Sequence, residues 1–445
     1  MRRISVERRL LLKAAFGAAF GLINGASLAD ILQAGSGADI KGQADTKGGD
    51  DLLSAQSRLG ENLIRYLADH AKDGAKDGVK DGAKDVVKTG GANWIASPAS
   101  LASILSFVDL GANPLMRSAI HRTLGYKPAA KRRTEQDLAV LRNSVAAISA
   151  RAVVDGPLML ANLLAFDLST RPRQLALMGL SGAGADVLVD HLGDPKMIGR
   201  INDWVRQKTH DLIPAIIEEA PADMGLVAVN ALYFRDRWKT PFDLARTQIE
   251  PFQTVSGNPV DVRMMHSPAA KFSFRQDDRF IATELGYAND DFKLVVVTTK
   301  SAPAQVPEFA AVADWLNGQG FELKSGEIGL PKVNLTAAEE LLRPLDALGL
   351  RPARQSPDAL DGFSAMPLVI TRIVQKLELR LSEEGTEASA ATAVVTTRSL
   401  GPHDHVRMIV DKPFMFALRD QKTGLVLFMG YVGAPAEASR TSFRQ

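Results

Sequence analysis

The sequence predicts an α+β domain in which a large, mainly antiparallel system of β-sheets packs beneath helices. Apolar residues recur at helical spacing through the first half of the chain, whereas from residue 225 onward short runs rich in Val, Ile and Phe indicate strands. Helices first and strands later is the order typical of an α+β domain. The composition, 46% hydrophobic and 23% charged, is that of a globular protein, and 445 residues suffice for one unusually large domain.

The helical part is predicted to begin at Asp51, where leucines and an isoleucine recur at helical spacing through residue 70. A short apolar strand at Trp94 and Ile95 leads into a buried helix within 97–112, with Pro98 in the first turn, where its missing N–H is tolerated. Further helices are predicted at 114–125, 134–150 and 197–217, the last of them amphipathic.

Strands account for most of the remaining apolar pattern. They are predicted at 157–168, 226–238, 261–267, 271–276, 280–285, 292–299, 368–381, 407–420 and 425–435. The run at 157–168 has apolar residues at nearly every position, which predicts a buried strand.

The N-terminal segment 1–29 has the features of an export signal. A basic start precedes an apolar run from Leu10 to Ile23, and a small-residue cleavage site ends at Ala29. The run is too short for a membrane-spanning helix. Its "RRLLLK" resembles the twin-arginine signal of bacteria; a general secretory signal or an ordinary amphipathic helix are the alternatives. We expect a bacterial protein exported to the periplasm or the extracellular space, with no membrane span.

The rest of the chain divides into a linker, a domain and a tail. Residues 30–50, rich in Gly, Asp and Ala, predict a flexible linker. The domain is expected to span 51–437 and the tail 438–445. A low-complexity Lys-Asp-Gly insertion at 71–91 interrupts the domain and predicts a solvated segment.

Composition also limits the possible partners. The chain has 53 Lys and Arg against 51 Asp and Glu, so its net charge of +2 gives no reason to expect a nucleic acid. With no cysteine, disulfides and thiolate metal sites are excluded. His403 and His405 have no third ligand near them in the sequence, so we expect neither a metal nor another cofactor.

The sequence also lacks the signatures of an enzyme. It contains no G-x-S-x-G, no H-E-x-x-H and no phosphate-binding loop motif, and no nucleophile stands in a recognisable setting beside a base. We therefore do not expect the protein to be an enzyme.

The segment 383–400, "EEGTEASAATAVVTTRSL", is the most informative stretch of the chain. If it became a strand, alternate side chains would lie on opposite faces. One face would carry Thr386, Ala388, Ala390, Thr392, Val394 and Thr396. These residues are small or β-branched, so they can enter a packed core without overpacking it or burying a charge. Judged by itself, this segment is also compatible with an Ala-rich edge strand or an exposed helix, which is the alternative.

Backbone requirements favour insertion of this segment into a sheet. No proline occurs between Gly385 and Leu400, so no ladder hydrogen bond would be lost. Gly385 supplies backbone freedom where the chain must turn from an existing strand into the segment.

Six stretches, in order, resemble the serpins, a family of protease inhibitors that insert their own reactive loop into a sheet. They are "SPASLASILSFVDLGA" (97–112), "ANLLAF" (161–166), "INDWVRQKT" (201–209), "NALYFRDRWKTPF" (230–242), "EEGTEASAATAVV" (383–395), and the C-terminal pair "DKPFMFALRD" and "LFMGYVGAP". The resemblance implies a serpin-like fold with large mixed, mainly antiparallel sheets, about eight to nine helices and an exposed reactive loop. It covers the chain from about Asp51 to Pro435.

The resemblance further implies an inhibitor of serine proteases that acts as a suicide substrate, and we expect its targets to be trypsin-like enzymes. The protease would cut the reactive loop, become covalently held as an acyl complex, and be displaced as the loop inserts. The hinge and inserting loop would comprise Glu383, Glu384, Gly385, Thr386, Glu387, Ala388, Ser389, Ala390, Ala391 and Thr392. We expect a monomer. A non-inhibitory serpin acting as a binding or structural protein is the alternative.

The reactive bond is expected near Arg398. A long cationic side chain suits the acidic primary pocket of trypsin-like proteases, which favours cleavage between Arg398 and Ser399. Counting from Gly385, however, the family's usual scissile position is the fifteenth, which is Ser399. Cleavage between Ser399 and Leu400 therefore remains the alternative.

The resemblance also indicates where the sheet would open. The polar residues would be Ser97, Ser100, Asn230 and Gln375, with Trp238 beside the start of the loop. Gln375 stands where family members often have His, and its amide can still both donate and accept. Asp236 stands where the family motif commonly has Gly.

Overall fold

The computed structural model describes residues 48–71, 93–152, 156–209, 211, 213–218, 225–301, 309–386 and 405–435. Within these ranges nine α-helices occur: α1 (Gly48–Ala71), α2 (Pro98–Val108), α3 (Pro114–Thr123), α4 (Lys131–Arg151), α5 (Gln174–Ala183), α6 (Lys196–Lys208), α7 (Phe309–Leu316), α8 (Leu342–Ala347) and α9 (Arg351–Arg354). None of the described helices is long and apolar enough to cross a membrane.

Seventeen strands form two sheets in the described part of the chain. They are β1 (Asn93–Ala96), β2 (Leu158–Asp167), β3 (Asp186–Asp190), β4 (Leu226–Phe234), β5 (Asp236–Arg237), β6 (Asp243–Gln253), β7 (Pro259–His266), β8 (Ala270–Gln276), β9 (Phe280–Gly286), β10 (Phe292–Thr299), β11 (Glu322–Pro331), β12 (Val333–Glu340), β13 (Ile370–Leu381), β14 (Gly385–Thr386), β15 (His405–Ile409), β16 (Phe414–Asp420) and β17 (Val426–Val432).

The smaller sheet carries the candidate site. Its seven strands run in the order β3-β2-β4-β13-β14-β5, and β12 pairs with β13. β2 and β12 are antiparallel to their neighbours β4 and β13, whereas β4 and β13 are parallel to each other. The larger sheet has ten strands in the order β1-β17-β16-β10-β9-β8-β11-β7-β6, with β15 paired to β11.

Both faces of β4 are buried, and its residues alternate between two apolar clusters. Leu226, Ala228, Leu232 and Phe234 belong to the main core, which also contains the fully buried helix α2. Val227, Val229 and Ala231 pack on the other face against Ile201 and Val205 of α6. A strand inserted beside β4 would therefore meet an apolar environment on both of its faces.

The predicted α+β fold class is confirmed, and most predicted elements occur within a few residues of their expected bounds. Helix α1 begins at Gly48, inside the predicted linker. The amphipathic helix predicted to reach residue 217 ends at Lys208, so that bound is wrong. Asp211, three residues later, has a φ of 62°, which a right-handed helix does not accommodate.

The strand predicted at 407–420 is two strands, β15 and β16, separated at Lys412-Pro413, because proline cannot donate to a ladder. Strands β3, β6, β11 and β12 and helices α5, α7, α8 and α9 were not predicted. The expected export signal (1–29), most of the linker (30–50), nearly all of the insertion (71–91) and the tail (438–445) lie outside the described residues.

Candidate functional site: the hinge and the strands beside it

The chain reverses direction directly after β13. Residues 382–386, here called the hinge, turn so that β14 runs back antiparallel to both β13 and β5. Thr386 is flanked by Leu381 of β13 on one side and by Asp236 of β5 on the other. The Ser382 N–H and hydroxyl both donate to the Gly385 carbonyl, each at 2.9 Å, and close the turn. Two hinge residues are thus already part of the sheet.

Gly385 is required by a close approach of two backbones. Its φ is 158°, and a Cβ at this position would lie 2.1 Å from the Asp236 carbonyl oxygen and 2.7 Å from the Arg237 Cα. A side chain of any size would therefore push β14 and β5 apart. The predicted role of Gly385 as a hinge residue is consistent with this geometry.

Trp238 holds the hinge turn through two hydrogen bonds to hinge carbonyls. Its indole Nε1–H donates to the Ser382 carbonyl and its backbone N–H to the Glu384 carbonyl, both at 2.8 Å. The buried indole stacks on Tyr287 with ring centroids 4.5 Å apart. The structure thus places Trp238 against the hinge itself rather than among the polar residues between β4 and β13.

Thr386 points into the main core. Its side chain is fully buried, and its hydroxyl shares a 2.7 Å hydrogen bond with the hydroxyl of the equally buried Tyr287. Burial raises the pKa of the Tyr287 phenol, which the contact with Thr386 offsets only in part. The face that the alternation assigns to Thr386 is the buried one, so the small residues on that face follow it towards the core.

Glu383 attaches the hinge to the neighbouring strands. One carboxylate oxygen lies 2.7 Å from Lys332 Nζ, and the other accepts from the Thr247 hydroxyl at 2.9 Å. Burial alone would raise the pKa of this carboxyl, but the hydrogen bond from Lys332, together with the others it accepts, lowers the pKa below its usual value. At neutral pH Glu383 is therefore ionised and paired.

A buried polar pair lies further along the two central strands. Asn230 of β4 and Gln375 of β13 are directly opposite each other, and both are almost completely buried. Asn230 Nδ2 donates to Asn162 Oδ1 at 2.8 Å, but Asn230 Oδ1 and Gln375 Nε2 have no hydrogen-bond partner. Each of these atoms is an unmet polar group in the core.

Ser97 and Ser100 lie at the start of α2, which packs on β4. Ser97 Oγ caps the helix by accepting from the Ser100 N–H at 3.0 Å, and it donates to Ser100 Oγ at 2.9 Å. No hydrogen bond of the described residues joins either serine to Asn230. The structure therefore groups the predicted polar residues as two separate pairs rather than as one network.

Several residues of the site were not found from the sequence. Asn162 offered a signal, because it is the single polar residue in the run from Leu158 to Phe166. Tyr287 and Thr247 offered none, since they meet the hinge from 99 and 136 residues away in the chain.

The remaining predicted site residues lie outside the described residues. They are Glu387, Ala388, Ser389, Ala390, Ala391, Thr392, Arg398 and Ser399. In the part of the chain that the structure describes, no group of three or more His, Asp or Glu is placed to hold a metal ion.

The directions of β4 and β13 determine what kind of strand could be inserted between them. β4 and β13 pair in parallel from Leu226 to Tyr233 and from Ile370 to Glu378, and the hinge runs antiparallel to the end of this pair. A strand continuing from the hinge between β4 and β13 would be antiparallel to both neighbours. Antiparallel ladders are slightly more stable per residue than parallel ones, so this exchange is favourable for the sheet.

Comparison with known proteins identifies this arrangement. The family model described as Serpin (serine protease inhibitor) matches residues 82–435. The chain belongs to the serpin family. This confirms the family predicted from the sequence, and the serpin fold with it.

Individual serpins are similar to this one over different lengths. Plasminogen activator inhibitor 1 of Bos taurus is 32% identical over 250 residues, which cover 53% of this chain and 61% of that protein. The chain thus spans about three fifths of the length of the plasminogen activator inhibitors it matches. Iripin-2 of Ixodes ricinus is 28% identical over 357 residues, covering 76% of this chain and 87% of that serpin.

Solved serpin structures have the same fold. Serpin48 of the insect Tenebrio molitor, described as a highly specific serpin, superposes with a TM-score of 0.69 at 20% identity and covers 88% of this chain and 99% of its own. Several relatives are named as protease inhibitors, among them Leukocyte elastase inhibitor of Bos taurus and Serine protease inhibitor 42Dd of Drosophila melanogaster.

Proposed function

We propose that this serpin inhibits trypsin-like serine proteases by loop insertion. A protease would cleave the reactive loop, residues 387–404, near Arg398, and the cleaved loop would enter the smaller sheet as a strand between β4 and β13. The observation that carries the proposal is the position of Thr386, which already pairs with Leu381 on one side and Asp236 on the other.

The register of these two pairs extends along the whole sheet. In an antiparallel pair, each step of one residue forward along the loop moves the pairing partner one residue back along the neighbouring strand, and this holds on both sides. Six residues beyond Thr386, Thr392 would lie opposite Gln375 on β13 and Asn230 on β4. Gln375 and Asn230 are themselves direct partners, so the registers on the two sides agree with each other.

This register would satisfy the two unmet polar atoms of the core. The Thr392 hydroxyl can donate to Asn230 Oδ1 and accept from Gln375 Nε2, the two atoms that have no partner in the present form. An unsatisfied buried polar group costs about 1–3 kcal/mol, so the intact form would be less stable than the inserted one by part of this amount. The insertion would be driven partly by these two groups and partly by roughly one kcal/mol for each added backbone hydrogen bond.

The length of the sheet fits the expected cleavage site. Ten residues beyond Thr386, Thr396 would lie opposite Leu226, the first residue of β4. Arg398 and Ser399 would then fall just past the end of the strand, where an attached protease has room. At ~3.3 Å per residue, the inserted strand from Thr386 to Thr396 would extend roughly 33 Å along the sheet.

The reactive bond is proposed between Arg398 and Ser399, because Arg suits the acidic primary pocket of trypsin-like enzymes. Both this bond and the alternative between Ser399 and Leu400 satisfy the length of the sheet. The segment 1–29 supports the further proposal that a bacterium exports the protein to the periplasm or beyond, where it acts as a monomer.

Incubation of the purified protein with trypsin tests the proposal. We expect an SDS-resistant complex on a denaturing gel and a released C-terminal peptide that begins at Ser399. Cleavage without any complex contradicts inhibition by insertion, and a peptide that begins at Leu400 moves the reactive bond by one residue.

A matched pair of variants isolates the insertion step. Ala388→Arg would place a charge on the face of the loop that follows Thr386 towards the main core, so we expect cleavage with loss of the complex. Glu387→Gln changes a residue on the opposite face, where the exposed Arg380 and Arg235 would be its neighbours, and is expected to retain the complex. Equal behaviour of the two variants would contradict the assignment of faces.

A further inference from the structure

Asp236 is the hinge partner on β5, and its side chain makes two hydrogen bonds of its own. The half-buried carboxylate accepts from the Arg237 N–H at 2.8 Å through Oδ1 and from the Asn289 N–H at 3.1 Å through Oδ2. Asn289 lies in the turn between β9 and β10 of the larger sheet. Asp236 therefore connects the strand that receives the hinge to a turn of the other sheet.

Backbone contacts join the same two segments. The Ala288 N–H donates to the Arg237 carbonyl at 2.7 Å, the Lys239 N–H donates to the Gly286 carbonyl at 2.9 Å, and Trp238 forms an antiparallel bridge with Tyr287. The hydrogen bond from Asn289 to the Asp236 carboxylate adds a side-chain contact between the same two segments, at the residue that pairs with Thr386. The position of β5, and with it the space for β14, depends on these contacts.

The charge on Asp236 has no counter-ion within the described residues. Two lysines of neighbouring segments form ion pairs elsewhere: Lys239 pairs with Asp290 at 2.6 Å, and Lys332 pairs with Glu383 of the hinge at 2.7 Å. The exposed Arg237 contributes only its backbone N–H. Burial raises the pKa of the Asp236 carboxyl, and the two backbone N–H groups offset this only in part.

We propose that Asp236 is a positioning residue for loop insertion: its ionised carboxylate holds β5 against the turn at Asn289, at the spacing that lets Gly385 and Thr386 pair on both sides. The inference rests on the proposed function, since it assigns Asp236 a part in the insertion step. The family motif that this stretch resembles commonly has Gly at this position, and Gly has no side chain with which to make these hydrogen bonds. The contact between the Asp236 carboxylate and the turn at Asn289 is then a feature of this chain.

Ionisation and insertion are linked in one direction. Because burial raises the folded pKa of Asp236, the ionised carboxyl costs the fold stability. The ionised form is nevertheless the one whose two oxygens both accept, from the Arg237 N–H and from the Asn289 N–H. Insertion is then faster above the folded pKa of Asp236 and slows as the pH falls through it. Tyr287 and Glu383 lie in the same region and do not share this dependence, because burial raises the pKa of the Tyr287 phenol and the hydrogen bond from Lys332 helps to lower the pKa of the Glu383 carboxyl. Glu384 lies in the same hinge.

Hydrogen exchange tests the positioning role without any protease. In Asp236→Asn the side chain has one acceptor oxygen instead of two, so we expect the amides of 381–386 to exchange about fivefold faster than in the wild type at neutral pH. The difference is expected to disappear in acid. The matched control is Asp290→Asn, which removes an exposed carboxylate of the same turn and is expected to leave these amides unchanged. Unchanged exchange in Asp236→Asn overturns the proposal.

Complex formation with trypsin tests the link to function. The rate for the wild type is divided by that for Asp236→Asn at a series of pH values from neutral down to the lowest at which trypsin is active, which cancels the pH dependence of the protease. We expect a ratio of about five at neutral pH that falls towards one in acid. A flat ratio with normal complex formation overturns the role of Asp236 alone. Absence of complex in the wild type overturns the proposed function, and the part of Asp236 in insertion with it.

Discussion

Asn230 and Gln375 face each other across the parallel pair of β4 and β13, and each leaves one buried polar atom without a hydrogen-bond partner. The core of the intact protein therefore contains a defect that lies on the path of the proposed inserted strand. Its position along that path is set by the register of the hinge, so the defect makes the proposal specific to one residue of the loop.

Replacement of the Thr392 hydroxyl tests this register. Thr392→Val keeps the shape of the side chain but leaves Asn230 Oδ1 and Gln375 Nε2 unsatisfied after insertion, so we expect the cleaved form to lose about 1–3 kcal/mol of stability. The intact form is expected to be unaffected. The measurement is thermal unfolding of the intact and trypsin-cleaved proteins.

Thr396→Val is the matched control for this substitution. Thr396 would lie opposite Leu226, and among the described residues neither Leu226 nor its neighbours on β4 and β13 have an unsatisfied buried side-chain atom. We expect the cleaved Thr396→Val protein to be as stable as the cleaved wild type. If both variants lose the same stability, the register is wrong.

Substitution of Gly385 tests the close approach of the hinge to β5. In Gly385→Ala the new Cβ would lie 2.1 Å from the Asp236 carbonyl oxygen, so the two strands must separate. We expect a loss of about 1–3 kcal/mol in the free energy of unfolding, measured by denaturant titration. Gly182→Ala in α5, where nothing lies within 4 Å, is the control and is expected to be neutral or slightly stabilising. A neutral Gly385→Ala would refute the hinge geometry.

The ion pair between Glu383 and Lys332 predicts a pH dependence of stability. Because the folded pKa of Glu383 is below its unfolded value, its contribution is complete above the unfolded pKa, near 4.5, and is lost as the pH falls through the folded pKa. Glu383→Gln is expected to cost about 1–2 kcal/mol at neutral pH, since Lys332 is partly exposed and screened. Below the folded pKa the variant and wild type are expected to converge.

The control for this pair is Glu322→Gln, which removes an exposed partner of Lys324. We expect its unfolding curves to match the wild type at every pH. The comparison requires denaturant titrations of the three proteins at several pH values. A Glu383→Gln protein that differs from wild type by the same amount in acid and at neutral pH would exclude the ion pair as the cause.

A double-mutant cycle tests the hydrogen bond between Thr386 and Tyr287. Tyr287→Phe leaves the Thr386 hydroxyl buried without its partner, and Thr386→Val does the same to the Tyr287 hydroxyl, so each is expected to cost about 1–2 kcal/mol. The double variant is expected to be more stable than the sum of the two losses indicates. Strict additivity, measured by thermal unfolding, would show that the two hydroxyls do not interact.

The sequence was sufficient for elements with a strong local signal. Helix α2 begins where Ser97 and Pro98 predict it, and β10 has the predicted bounds, because its run of Val and Leu is continuous and lies between turn residues. Strand β12, "VNLTAAEE", could not be predicted in this way. Val333, Leu335 and Ala337 alternate and are buried, but the run "AAEE" at the end of the strand favours helix. The strand depends on pairing with β13, which follows about forty residues later.

In the candidate site, too, some residues could be predicted from the sequence and others could not. The roles of Gly385 and Thr386 follow from their own residue types, so the sequence alone indicated them. The sequence did not indicate the partners of the hinge, because Tyr287 and Thr247 reach it only through the packing of one sheet against the other. Asp236 was noticed as an unusual residue, but its two hydrogen bonds depend on a turn more than fifty residues away.

The contact between Trp238 and the hinge gives the protein an intrinsic optical probe. Its indole is hydrogen-bonded to Ser382 and stacked on Tyr287, whereas Trp94 and Trp315 belong to the separate cluster on the larger sheet and Trp204 lies on α6. Any rearrangement of the turn alters the surroundings of this one chromophore. Stopped-flow emission can therefore follow the first milliseconds of the encounter with a protease in unlabelled protein, with the Trp238→Phe variant as the blank.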